Sequence, residues 1–89
     1  MNSIKVYVKV TAAFSSVGEM QPLTLLWEDG QEYIIDRILD VRPAAALKAG
    51  GQGDRYTIRT CGQDCFLFFE RSPKITDPTL GRWFVERRH

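Results

Sequence analysis

The chain has 89 residues, 44% of them hydrophobic and 26% charged, with a net charge of +1. That length suits one small domain, and the apolar share is enough for a core, which excludes a disordered chain or a multidomain machine. The near-neutral charge gives no strong global field pointing to nucleic acid or membrane, and no stretch reaches the roughly 18 apolar residues of a membrane span.

The N-terminus carries no signal-like apolar run, because Lys5 and Lys9 interrupt it. A cytoplasmic location is the expectation. Val6, Val8, Val10, Ala12 and Phe14 alternate with Lys5, Tyr7, Lys9, Thr11 and Ala13. A period of two with β-branched residues reads as a half-buried strand. Ser15-Ser16-Val17-Gly18 reads as a turn. Pro22 opens a second strand, with Leu23, Leu25 and Trp27 on one face.

Asp29-Gly30 follows, and Asp-Gly between two such runs is a hairpin signal of type I′. The third run, Gln31–Arg42, fits two periodicities. Tyr33, Ile35, Leu39 and Val41 suit a strand, whereas Ile34, Ile35, Ile38 and Leu39 suit a helix. The preceding turn and the isoleucines favour a long, bent strand serving the core on both sides of its bend. Pro43 then stops it, for lack of an N–H. Ala44–Lys48 can make one helical turn, and Gly50–Gly53 a flexible loop.

Arg55–Cys61 alternates again, with Tyr56 and Ile58 on one face. A tight turn at Gly62-Gln63, or Gly62-Gln63-Asp64, leads into Cys65–Arg71. That run holds Phe66-Leu67-Phe68-Phe69, too apolar for a strand with one wet face. Ser72–Gly81 is a loop, and Arg82–Arg87 a last strand with Trp83 and Val85 on one side. The fold class is therefore all-β: a single domain over residues 1–89, a small curled antiparallel sheet or closed barrel of about six strands, SH3-like or OB-like.

Little in the chain supports chemistry. Cys61 and Cys65 lack the second pair a zinc site needs and read as reduced, mostly buried thiols. The spacing leaves a cross-turn disulfide sterically possible. Glu28, Asp29, Glu32, Asp36 and Asp40 form an acidic stretch. Glu32, Asp36 and Asp40 share strand parity but lie about 13 Å apart in succession, too far for one metal ion. The Gly50–Gly53 loop lacks the Lys-Ser/Thr and the helix of a phosphate loop. The only histidine is His89, so no Ser, Thr or Cys has an internal imidazole base. The expectation is a non-enzyme with no catalytic residue, metal or cofactor.

Residues 54–89 hold seven Lys and Arg against five Asp and Glu, while residues 1–53 hold five against six. Arg55, Arg59, Arg82 and Arg87, with Tyr56 and Trp83, are the candidate partner-binding residues. Arginine near Tyr56, Phe68 or Trp83 suits stacking and phosphate contact with single-stranded nucleic acid. The expected function is a binding module that contacts protein or nucleic acid through its loops and Arg-rich strands. The alternative is a structural protein that pairs with copies of itself.

Leu26-Trp27-Glu28-Asp29-Gly30-Gln31-Glu32-Tyr33, Ile38-Leu39-Asp40-Val41-Arg42-Pro43, Gly53-Asp54-Arg55-Tyr56 and Gly81-Arg82-Trp83-Phe84-Val85-Glu86 together form a recognisable layout. It resembles that of short uncharacterised bacterial proteins, mostly of Gram-positive organisms. The resemblance spans nearly the whole chain, but its motifs are turn and core residues. It implies a small β-barrel and carries over no functional residue.

Overall fold

The computed structural model describes residues 3–45, 52–72 and 80–88. They form seven strands: β1 (Ser3–Phe14), β2 (Met20–Leu26), β3 (Glu32–Ile34), β4 (Arg37–Ala45), β5 (Gln52–Thr60), β6 (Gln63–Arg71) and β7 (Gly81–Arg88). All belong to one antiparallel sheet in the order β3-β2-β1-β7-β6-β5-β4, curled into a half-barrel. The described residues contain no helix, so the all-β expectation holds.

The third apolar run is strand, but broken at its bend into β3 and β4. Ile35 N–H donates to Leu23 O at 2.9 Å, and Asp36 N–H donates to Arg59 O at 2.8 Å. Within two residues the chain leaves β2 for β5. The two edge strands of the sheet are thus consecutive in sequence, which is why apolar residues occur on both faces of this run. Ile35 itself is buried at the corner.

Several local expectations are corrected. Asp29-Gly30 does not form a type I′ turn, because only Gly30 takes a positive φ (86°). Gly30 N–H donates to Trp27 O at 3.0 Å and Trp27 N–H to Gln31 O at 2.8 Å, while Asp29 Oδ1 accepts from Gln31 N–H at 2.9 Å. This is a type I turn closed by a left-handed glycine. The same bonds recur from Ser15 to Glu19 around Gly18. The two-residue turn with both φ positive lies instead at Cys61 (52°) and Gly62 (74°), between Thr60 and Gln63, which pair across it. Gln63 and Asp64 are already strand.

Pro43 does not stop its strand. It lies inside β4, opposite Asp54. β4 is an edge strand, where a missing N–H on the outward side costs no ladder bond. Ala44 and Ala45 are also strand rather than helix, and Gly53 belongs to β5. The remainder of the expected helical turn and glycine loop, residues 46–51, lies outside the described residues, as does 73–79 of the last loop.

One face of the sheet makes the core. Leu25, Ile35, Tyr56, Ile58, Leu67 and Phe69 are buried together, with Val8, Val10, Trp83 and Val85 packed against them. Tyr56 Oη donates to Met20 O at 3.1 Å, so the polar end of this buried ring is satisfied. The two flanks of β6 are gripped by glycines. A Cβ on Gly53 would meet the Phe69 carbonyl, and one on Gly81 the Glu70 carbonyl. These close approaches admit β5 and β7 to β6.

Candidate binding face

Alternation decides what the second face carries. In β6, Leu67 and Phe69 enter the core, so Phe66 and Phe68 point the other way. This resolves the over-apolar run: its strand has apolar residues on both faces. The register then lines up one row across five strands, with Tyr7 opposite Phe84, Phe84 opposite Phe68, Phe68 opposite Arg55, and Arg55 opposite Arg42.

The rings in this row touch. Phe68 stacks on Phe84 with centroids 5.0 Å apart and planes 6° from parallel. Tyr7 meets the edge of Phe84 at 5.7 Å, and Phe66 meets Phe68 at 6.4 Å. Phe84 is only 5% exposed and anchors the group, whereas Tyr7 and Phe66 are 44% and 48% exposed. Cations sit over three rings: Lys5 Nζ is 4.8 Å from the Phe84 centroid, Arg55 Cζ 4.6 Å from Phe66, and Arg82 Cζ 4.3 Å from Tyr7. Cation–ring attraction contributes about 0.5–2 kcal/mol per pair, depending on exposure.

Glu70 is the electrostatic centre beside the row. It accepts from Tyr7 Oη at 2.9 Å and lies 3.6 Å from Lys5 and 3.7 Å from Arg82. Burial, then the hydrogen bond and charge of Glu70, push the Tyr7 phenol up, with Arg82 opposing. Further along the face, Arg59 Nε donates to Asp64 Oδ1 at 2.8 Å. That hydrogen bond holds the Asp64 carboxyl below its ordinary value and raises Arg59. A groove of about 440 Å³ runs beside the rings, its walls including Lys5, Arg42, Arg55, Phe66, Phe68 and Phe84.

The six residues expected to bind a partner divide. Arg55 and Arg82 lie on the aromatic face, over its rings. Arg59 shares that face but is held by Asp64. Arg87 alternates to the core side of β7 and pairs with Glu28. Tyr56 is 4% exposed, and Trp83 packs on Tyr56 and Phe69 with centroids at 5.3 and 4.8 Å. Both are core rings, so neither offers a platform. Burial, with Asp54 as a lesser cause, raises the Tyr56 phenol. Sequence reading named Phe68 beside the arginines but missed Tyr7, Phe66 and Phe84. The available signal was parity within a strand: Tyr7 shares it with Lys5 and Phe84 with Arg82, opposite to Val8 and Val85.

Elsewhere, β6 and β7 pair only from Phe68 with Phe84 to Arg71 with Gly81. Beyond that the strands part, and a cleft of about 1090 Å³ opens onto Leu25, Trp27, Cys65 and Val85. Cys61 and Cys65 are free and exposed, contrary to the buried thiols expected. The two-residue turn projects Cys61 outward, and the divergence of β7 uncovers Cys65. Partial desolvation, then the charge of Asp64, still raises the Cys65 thiol. In the acidic stretch, Asp40 pairs with Arg42 and Asp29 closes its turn. Among the described residues no group of three His, Cys, Asp or Glu is placed to hold a metal ion. Among the described residues there is no helix long and apolar enough to cross a membrane.

No family model, curated protein or solved structure matches this chain.

Proposed function

We propose that this chain is a non-enzymatic, cytoplasmic binding module that holds single-stranded nucleic acid across the aromatic face of its sheet. The observation that carries the reading is the cross-strand row of Tyr7, Phe84 and Phe68, extended by Phe66 and continued by Arg55 and Arg42. Rings on a sheet face offer bases a sequence-tolerant stack, worth about 1–3 kcal/mol per base. The cations among them suit a phosphate backbone. By register, strands β1, β7, β6, β5 and β4 turn Lys5, Lys9, Arg37, Arg42, Arg55, Arg59 and Arg82 to this side, against Asp40, Asp64, Glu70 and Glu86. The net +1 of the whole chain therefore hides a cationic face. Using a curled sheet in this way is an OB-like rather than an SH3-like habit.

The test is fluorescence polarisation with a short labelled oligothymidine strand. Binding is expected at low salt and falls as salt rises, through counterion release. Tyr7→Ala and Phe66→Ala are each expected to weaken it by about 1–3 kcal/mol. Arg87→Gln, on the other side of the sheet, leaves it unchanged. Absence of binding at low salt, or equal binding by both ring variants, refutes the reading.

A second reading, self-association, is favoured by β4. This edge strand exposes Leu39 and Val41 at 41% and 48%. Pro43 and the irregular register between Ile38 and Asp40 interrupt the same edge, which blunts it. Light scattering at micromolar concentration decides; a clean monomer rejects self-association.

A further inference from the structure

Arg55 is the unusual charge of the aromatic face. Its Nε is the one buried side-chain nitrogen or oxygen among the described residues without a hydrogen-bond partner. Its guanidinium sits over Phe66, and among the described residues no carboxylate lies within ion-pair reach of it. Directly across the β4–β5 ladder stands Arg42. Like charges opposite one another in a sheet are destabilising. Arg42 has turned to Asp40, its Nε 2.7 Å from the carboxylate, while Arg55 has no such relief. A buried donor left unpaired is destabilising, the more so when charged.

Both arginines line the groove of about 440 Å³. That volume lies within the ordinary range for small-ligand sites, about 300–1,000 Å³. One wall is aromatic, formed by Phe66 and Phe68. The carboxylates at the groove are already engaged or opposed: Asp54 by Arg71, Glu70 by Tyr7, Lys5 and Arg82, and Glu86 by Lys5 in register. A group with dense negative charge and several acceptor oxygens would satisfy Arg55 and screen it from Arg42. Guanidinium forks match phosphate bidentately.

We propose that Arg55, with Arg42, seats a phosphate in this groove, and that the nucleobase attached to it rests on the Phe66–Phe68 wall. The site then takes one nucleoside monophosphate unit. This rests on the reading of the face as a nucleic-acid platform and names the point at which the strand is gripped.

The test is a nuclear magnetic resonance titration of the isotope-labelled full chain with uridine monophosphate, uridine and inorganic phosphate. Uridine monophosphate is expected to move the Arg55 Nε–H resonance and those of Phe66 and Phe68. Inorganic phosphate moves Arg55 alone, and uridine leaves it in place. Arg55→Gln is expected to weaken uridine monophosphate by about tenfold or more, the loss of a charged hydrogen bond. Arg42→Gln, at an exposed side chain, weakens it as well, and Arg87→Gln has no effect. The seat is refuted if uridine monophosphate leaves Arg55 unmoved, if uridine binds as tightly, or if Arg55→Gln binds unchanged. Oligothymidine binding with a silent monophosphate sinks the seat and leaves the platform standing. Monophosphate binding without oligothymidine binding does the reverse.

Discussion

Replacing Gly53 by alanine tests whether the β5–β6 contact demands glycine. Gly53 pairs with Glu70 and forms part of the groove wall. A Cβ there would overlap the Phe69 carbonyl oxygen and lie 3.2 Å from its carbon and 3.4 Å from Glu70 Cα. All three obstacles are backbone, so no side chain can swing aside. Clearing the oxygen requires about 1 Å of strand separation to regain an ordinary contact of about 3.5 Å. Overpacking of this kind costs about 1–3 kcal/mol, and the upper end applies when backbone must move. Alanine returns about 0.5–1 kcal/mol, because glycine loses more chain entropy in a strand. The net expectation is a loss of about 2 kcal/mol, from a total of about 4–13 kcal/mol for a domain this size. At about 4–8 °C per kcal/mol, the melting temperature falls by about 8–16 °C. Urea unfolding followed by the fluorescence of Trp27 and Trp83 measures it. Gly62→Ala is the contrast: φ is +74° there with nothing within 4 Å, so the cost is left-handed strain of about 1–2 kcal/mol. A Gly53→Ala variant as stable as the parent, or more stable, refutes the argument.

Two further outcomes concern titrating groups. Asp64 titrates below an ordinary carboxyl because Arg59 donates to it. A depressed folded value gives stability that is present above the unfolded value and lost as pH falls through the folded one. Asp64→Asn should therefore shallow the acid limb of the stability–pH curve, and an unchanged limb would show the pair to be idle. The Cys65 thiol is raised by desolvation and by Asp64. In a Cys61→Ser chain, its alkylation rate should reach half-maximum at a pH above that of a free cysteine; a midpoint at or below it would contradict the placement.

Period-two alternation was enough to place β1, β5 and β7, because each buries one face and turn residues separate the runs, whereas β3 and β4 were read as one strand. The third run carried its bend in plain view, as apolar residues of both parities. Turn geometry was less legible. Asp-Gly is compatible with two hairpin types, and the side chain of Asp29, by holding Gln31 N–H, accompanies the longer one. The reading of Pro43 failed because a proline in a strand has meaning only once edge and centre are known. Tyr56 and Trp83 were candidates by residue type, but parity assigns them to the core.

Composition sets a balanced charge and an apolar share sufficient for one core. Sequence alone therefore determined the class: strands, their approximate bounds and a curled sheet. Tertiary structure decided which rings share a row. Tyr7, Phe68 and Phe84 are far apart in the chain, and only the β1–β7 and β7–β6 registers bring them into contact. A shift of one residue in either register would turn a strand over and scatter the rings. The same registers set Arg55 against Arg42 and leave its Nε without a partner. Charge and ring content are written in composition, but their convergence on one face comes from strand pairing, which local periodicity does not encode.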